Sequence, residues 1–287
     1  MRLRPESVVL LVALLLTGGA WAALDQFAKR QARAALLAEA TALQQRIEAR
    51  LALSLGPVEG IAMLINASDV TPTAVLERAG PRLQQRDPLF VSLALAPGLV
   101  IRDVYPREPN RAAIGLDFRA PPVDLAALRA FESGEAVLAG PFTLRQGGTA
   151  LAIRVPYRRP GPEGAADAGL VSIAIDFGAL LVDSGFEAFA QRHRSSLIEV
   201  DADGRPRSVL WGQTGALGEA TIEKAIAVPG GRWRWVIDVA PITPPPAGNA
   251  ALWLGLPVSL LLALLARALR GRLQRAGRAA AEPRLST

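Results

Sequence analysis

Few residues in this 287-residue chain have the types and spacing that catalysis needs. His193 is the single histidine and sits among Arg192, Arg194 and Ser195, the company of a solvated helix end rather than of a general base. Asp201 and Asp203 are close neighbours, but Asp203-Gly204 spells a turn. With no cysteine there is no disulfide, no thiol nucleophile and no thiolate metal site. No carboxylate pair, nucleophile elbow, metal-ligand cluster or phosphate-cradling loop occurs. The expectation is a protein that is not an enzyme and needs neither metal nor cofactor. What remains is recognition chemistry, concentrated between Phe90 and Gly148, where a loop rich in Pro, Asn and Gly lies between strand-like runs. We read this stretch as a pocket. Tyr105-Pro106 and Asn110 stand at its mouth, although Asn110 fits a turn better. Arg145 and Arg154 carry charge suited to an anion, but the ordinary reading is two solvated strand residues.

The elements that must position this pocket follow from periodicity and punctuation. Asp25 to Leu55 holds no Pro or Gly, and Leu36, Ala40, Leu43, Ile47 and Leu51 share one helical face. That stripe fits a helix laid along its own domain or a helix pair joining two subunits. Gly56-Pro57 interrupts it, with Val58 to Ile65 able to resume. Thr71-Pro72 opens a second helix, Thr71 as its cap, which Asp87-Pro88 ends. FVSLALA from Phe90, a Pro-Gly turn and LVIRDVYP read as a hairpin. Asp124 to Ser133 reads as a helix closed by Gly134. Ala136 to Leu144 and Ala150 to Tyr157 read as strands around Gln146-Gly147-Gly148. A second, smaller set follows: strand Gly169 to Phe177, helix Gly178 to Gln191, strands Ser196 to Val200 and Arg207 to Leu210, then RWRWVIDVA after Gly230-Gly231. On that last strand Trp233 and Trp235 share a face, which suits a core or a membrane interface. The expected fold class is α/β (α+β): a long helix followed by two mixed modules.

Composition places these modules outside a membrane. The chain is 51% hydrophobic, and two uncharged apolar runs, Ser7 to Leu24 and Ala250 to Ala266, are long enough to span a bilayer as helices. Residues 1–6 carry a net charge of +1 and residues 267–287 carry +5. The total is +6, so residues 7–266 sum to zero. The basic excess belongs to the tails, which argues against nucleic acid as a partner of the folded part. Both tails obey the positive-inside rule, with the termini cytoplasmic and the modules periplasmic or extracellular. Arg2 and Arg4, the apolar run and Ala20-Trp21-Ala22 also suit a signal peptide. An uncleaved anchor is the expectation, because the helical pattern runs on past Leu24.

The run Ala96-Pro97, Val100-Ile101, Val104-Tyr105-Pro106, Asn110 and Gly115-Leu116-Asp117 resembles the CHASE domain, the extracellular sensory domain of many histidine kinases and cyclases. The later run Gly134, Ala136-Val137-Leu138, Gly140-Pro141-Phe142, Leu144, Gln146-Gly147-Gly148, Arg154 and Pro156 extends the resemblance. It implies a long helix before two PAS-like modules, with the ligand in the membrane-distal one. In the related plant cytokinin receptors an aspartate and a leucine backbone group contact the ligand. By resemblance these fall on Asp117 and Leu138, although the surrounding loop departs from those receptors. Asp117 also suits a helix cap.

The expected layout is a cytoplasmic N-terminus over 1–6, a first span over 7–24, a long helix over 25–55 and a membrane-distal module over 56–160. A membrane-proximal module over 161–246, a second span over 250–266 and a basic cytoplasmic tail over 267–287 complete it. The expected function is a sensor in the cell membrane that binds a small molecule and passes the signal across. Family members usually carry a kinase, cyclase or phosphodiesterase after the second span. Here 21 residues follow, so a separate cytoplasmic or membrane output protein is the expected listener, beside a homodimer partner along the N-terminal helix. The alternative is a structural or assembly membrane protein with a non-binding domain of the same fold.

Overall fold

The computed structural model describes residues 5–67, 70–144, 148–160, 166–212, 221–239 and 247–281. It divides into two compact units, Met1–Ala38 with Pro241–Thr287, and Glu39–Ala240. In the first unit the N-terminal part of helix α1 (Pro5–Ala67) lies against helix α7 (Ala247–Ala281). Thr17 Oγ1 and Ser259 Oγ are 3.2 Å apart, and Gly255 leaves room for Thr17 where a side chain would collide. Small and hydroxylated residues at such a contact are what helix pairing in lipid favours. Both helices contain stretches long and apolar enough to cross a membrane.

In the second unit α1 serves as a spine. The expected break at Gly56-Pro57 does not occur, and the helix runs through Pro57 to Ala67. An interior proline costs about 3 kcal/mol. Burial of Val58, Ile61 and Ile65 just beyond it, at roughly 1.5–3 kcal/mol for each side chain, offsets that. Ala40, Leu43, Ile47 and Leu51 are buried within the unit itself, so this stripe lies along its own domain. Polar bonds fix the register of the spine. Lys224 Nζ donates to Thr41 Oγ1 at 2.6 Å, the Ala227 amide to Glu48 Oε1 at 2.8 Å, and the Arg158 amide to Asn66 Oδ1 at 2.8 Å. Asp87 accepts from Arg50 and Ser54 at 2.8 Å each, and Arg50 also reaches Asp183.

Helix α2 (Pro72–Arg86) follows; Thr71 stands at its cap position without a side-chain cap bond. Strand β1 (Phe90–Pro97) then pairs with β2 (Asp103–Tyr105), a shorter return than LVIRDVYP promised. A short helix α3 (Arg107–Asn110) and a 3-10 turn lead to α4 (Leu125–Ser133). Asp124 caps α4 by accepting from the Ala127 amide. Gly134 ends it at φ +78, a left-handed conformation open to glycine. Strands β3 (Val137–Thr143), β4 (Thr149–Pro160) and β5 (Ala166–Asp176) complete an antiparallel sheet of order β2-β1-β5-β4-β3.

The second module starts with α5 (Phe177–Asp183) and α6 (Phe186–Arg192), one expected helix split at Gly185. Its sheet holds β6 (Ser195–Val200), β7 (Pro206–Trp211), β8 (Thr221–Val228) and β9 (Gly231–Asp238) in the order β7-β6-β9-β8. The sequence gives little warning of β8, because TIEKAIAV mixes in Glu, Lys and Ala, which are poor strand formers. Trp233 and Trp235 are core residues. Trp233 meets Phe177 edge-on, and Trp235 packs between Phe186 and Phe189 at 5.2 and 5.1 Å. The architecture is one long helix followed by two mixed modules, each built on an antiparallel sheet.

Candidate ligand site

The first sheet has two unlike faces, and the difference is written in strand alternation. Leu93 and Leu95 on β1, Leu151 and Ile153 on β4, and Ile173 and Ile175 on β5 point one way and are buried. The opposite face carries Ser92, Ala94, Ala152, Ser172, Ala174 and Arg154. Register makes this a continuous floor: Ala94 pairs with Ser172, Ala152 with Ala174, and Arg154 with Ser172. Small side chains there leave a cavity of about 750 Å³.

The roof is the loop from Pro109 to Asp124. Gly115 to Phe118 is zipped to Leu99–Ile101: the Ile101 amide donates to Leu116 O at 2.9 Å, and the Phe118 amide to Leu99 O at 3.0 Å. Asn110 is buried, donates to Pro106 O at 2.9 Å, and also lines the cavity. It holds the turn as expected and faces the pocket as well. Beside the cavity, α4 and the loop pack Phe118, Ala127 and Ala130 onto Ala96, Val137 and Leu170.

Arg154 overturns the reading of a solvated strand residue. Its side chain is 6% exposed, ion-paired to Asp124, and lies 4.2 Å beneath the Phe118 ring. Asp124 therefore works twice, one oxygen on the Arg154 guanidinium and the other on the Ala127 amide. Burial pushes the Arg154 pKa down, and Asp124 opposes that shift. The Arg154 Nε and the Ser172 Oγ are buried without a hydrogen-bond partner. Period-two alternation with Ala152 was the sequence signal that Arg154 faces inward; its charge argued the other way. Arg145 lies outside the described residues.

Asp117 lines the cavity at its rim. Its side chain is 33% exposed and is clamped by Arg119, whose Nε and Nη2 each donate at 2.9 Å while the Arg119 amide adds a third bond. The Arg119 contact holds the Asp117 carboxyl below its usual range. The helix cap that Asp117 resembled belongs to Asp124. Leu138 is buried on β3 and lines a separate cavity of about 390 Å³ with Arg129, Glu199, Gly230 and Trp233. Its amide donates to Pro229 O at 2.8 Å. The structure thus places Asp117 and Leu138 beside two different cavities.

Elsewhere, the His193 ring is tilted against Phe189 with centroids 4.7 Å apart, near the Arg192–Glu39 ion pair. Among the described residues no group of three His, Asp or Glu side chains is placed to hold a metal.

A family model described as the CHASE domain matches residues 70–209. No curated protein sequence matches the chain. Among solved structures, the extracellular domain of the putative histidine kinase soHK1S-Z6 aligns with a TM-score of 0.51 at 14% identity, covering 74% of this chain and 95% of that one. The ligand-binding domain of the Pseudomonas aeruginosa PAO1 amino acid chemoreceptor PctC, in complex with GABA, aligns at 0.48 and 16% identity over 69% and 95% of the two chains. An extracellular ligand binding receptor from Desulfohalobium retbaense aligns at 0.46 and 15% identity over 68% of this chain, which spans 39% of that receptor's length. Residues 70–209 of this chain are thus similar to the CHASE domain, and they lie in sequence between two helices long and apolar enough to cross a membrane.

Proposed function

We propose that this chain is a membrane-anchored sensor whose first module binds a small molecule in the cavity between its sheet and the 109–124 loop. The supporting observation is the two-faced sheet. One face carries branched aliphatic side chains packed as a core, and the other keeps six small or polar residues facing about 750 Å³ of space. Filling that space with Leu or Ile would bury apolar surface at about 25 cal/mol per Å². A site that forgoes this gain fits a ligand pocket. In this reading Asp117 accepts a hydrogen bond from a ligand donor at the rim, exchanging part of its clamp to Arg119. Leu138 ties the edge of the pocket's sheet to the second module.

The layout of the proposal is two spans with both termini cytoplasmic and both modules on the outer side, 56–160 distal and 161–246 proximal. Ligand binding then biases one of two arrangements of the modules and the long helix, and the shift is felt across the membrane. The alternative, an assembly protein with a non-binding domain, makes the opposite prediction for a binding screen. The test is a thermal-shift screen of the full chain in detergent micelles against a panel of small metabolites. A binder raises the melting temperature by mass action, and Asp117→Ala reduces that shift. A panel without a single shift favours the assembly reading, and an unchanged shift in Asp117→Ala removes Asp117 from the site.

A further inference from the structure

We infer that the molecule held in this cavity carries a carboxylate, seated on the floor against Arg154 and Ser172. The inference rests on the ligand-pocket reading above and goes on to name the chemistry of the ligand.

Three observations carry it. Arg154 and Ser172 are directly paired across β4 and β5, so their side chains rise from the same face at neighbouring positions. Both are more than nine-tenths buried, both line the cavity, and the Arg154 Nε–H and the Ser172 hydroxyl lack partners. Native structures leave few buried polar atoms unbonded, and such atoms in a cavity mark where a ligand's own polar group belongs. Finally, Asp124 meets Arg154 at Nη2 and leaves the Nε–H for a second acceptor. Asp124 divides its carboxylate between the guanidinium and the α4 cap, and the Phe118 ring covers the guanidinium at 4.2 Å.

A carboxylate answers all of this with one group. One oxygen accepts from the Arg154 Nε–H, the other accepts from the Ser172 hydroxyl, and the negative charge makes the bond to the guanidinium a charge-assisted one. An amide or alcohol of the same shape satisfies one or both donors but brings no charge. Most of the rest of the lining, including Ala94, Ile101, Val104, Phe142, Ala152 and Ala174, is apolar, with Ser92, Asn110, Asp117, Asp124 and Thr143 as its further polar members. The ligand is therefore an organic acid with a compact apolar body, its charged end inward.

The test is isothermal titration of the full chain in lipid nanodiscs, at fixed ionic strength, with matched pairs. Isocaproate, phenylacetate and cinnamate are each compared with the primary amide of the same skeleton. The expected result is at least one acid binding about tenfold or more tightly than its amide. Ser172→Ala, which removes one oxygen and leaves the fold undisturbed, weakens that acid several-fold, and Arg154→Lys weakens it further. Amides that bind as well as acids overturn the carboxylate while leaving the pocket in place. An acid preference unchanged in both variants also overturns it, because the charge then sits elsewhere. Failure of acids and amides alike removes the pocket reading together with this one.

Discussion

The backbone N–H of Leu138 donates to the carbonyl of Pro229 at 2.8 Å, joining the edge strand of the first sheet to the β8–β9 turn of the second. Beyond the bulge between Ala139 and Phe142, the same strand lines the large cavity with Phe142 and Thr143. One strand therefore touches both the pocket and the neighbouring module. Gly230 makes the approach possible. Its φ is +67, and a Cβ there would lie 2.8 Å from Val137 Cγ2 and 2.9 Å from Ala136 O.

Gly230→Ala is expected to destabilise the full chain by about 1–3 kcal/mol, through backbone strain and the collision with β3. Urea denaturation reads the loss. Hydrogen exchange at the Leu138 amide should accelerate in parallel. An unchanged midpoint with unchanged exchange would show that the turn does not hold β3.

Arg154 and Asp124 form a buried pair, and removing one partner strands the other. Arg154→Met is expected to cost about 3–5 kcal/mol. Asp124→Asn keeps a competent helix cap and should cost less than Asp124→Ala, by about 0.5–2 kcal/mol. Denaturation of the single and double variants gives the coupling energy, and additivity of the Arg154 and Asp124 effects would contradict the pair.

Asp117 titrates below the usual carboxylate range because Arg119 bonds its charged form. A depressed folded-state pKa contributes stability at pH values above the unfolded one, and the contribution is lost as pH falls through the folded value. Exposure keeps that contribution small. Carbon-13 NMR of the side-chain carboxyl should show the Asp117 midpoint rising in Arg119→Ala. A midpoint that stays put would mean the clamp is not formed in solution.

Much of this organisation was legible in the sequence. Apolar runs, charge-balanced modules and basic tails pointed to two helices long and apolar enough to cross a membrane, and Asp124, Gly134 and the Gly230-Gly231 turn marked real element ends. Pro57 misled because a local breaking rule was outweighed by burial of Val58, Ile61 and Ile65. Arg154 misled for the opposite reason. Its charge suggested solvent, while its partners Asp124 and Phe118 lie 30 and 36 residues away, a relation that no local window contains. Asp117 and Leu138 were paired by motif, yet they stand at different cavities because β3 faces the second module at Leu138 and the pocket at Phe142.

The most direct measurement is titration of the Ala174→Leu variant with the compound that gives wild type its largest thermal shift. Ala174 stands on the cavity floor beside Ala152, so a leucine grows into the space the ligand needs. The account predicts that binding weakens at least tenfold while the ligand-free melting temperature holds or rises. Wild-type affinity in Ala174→Leu would place the ligand somewhere other than this cavity.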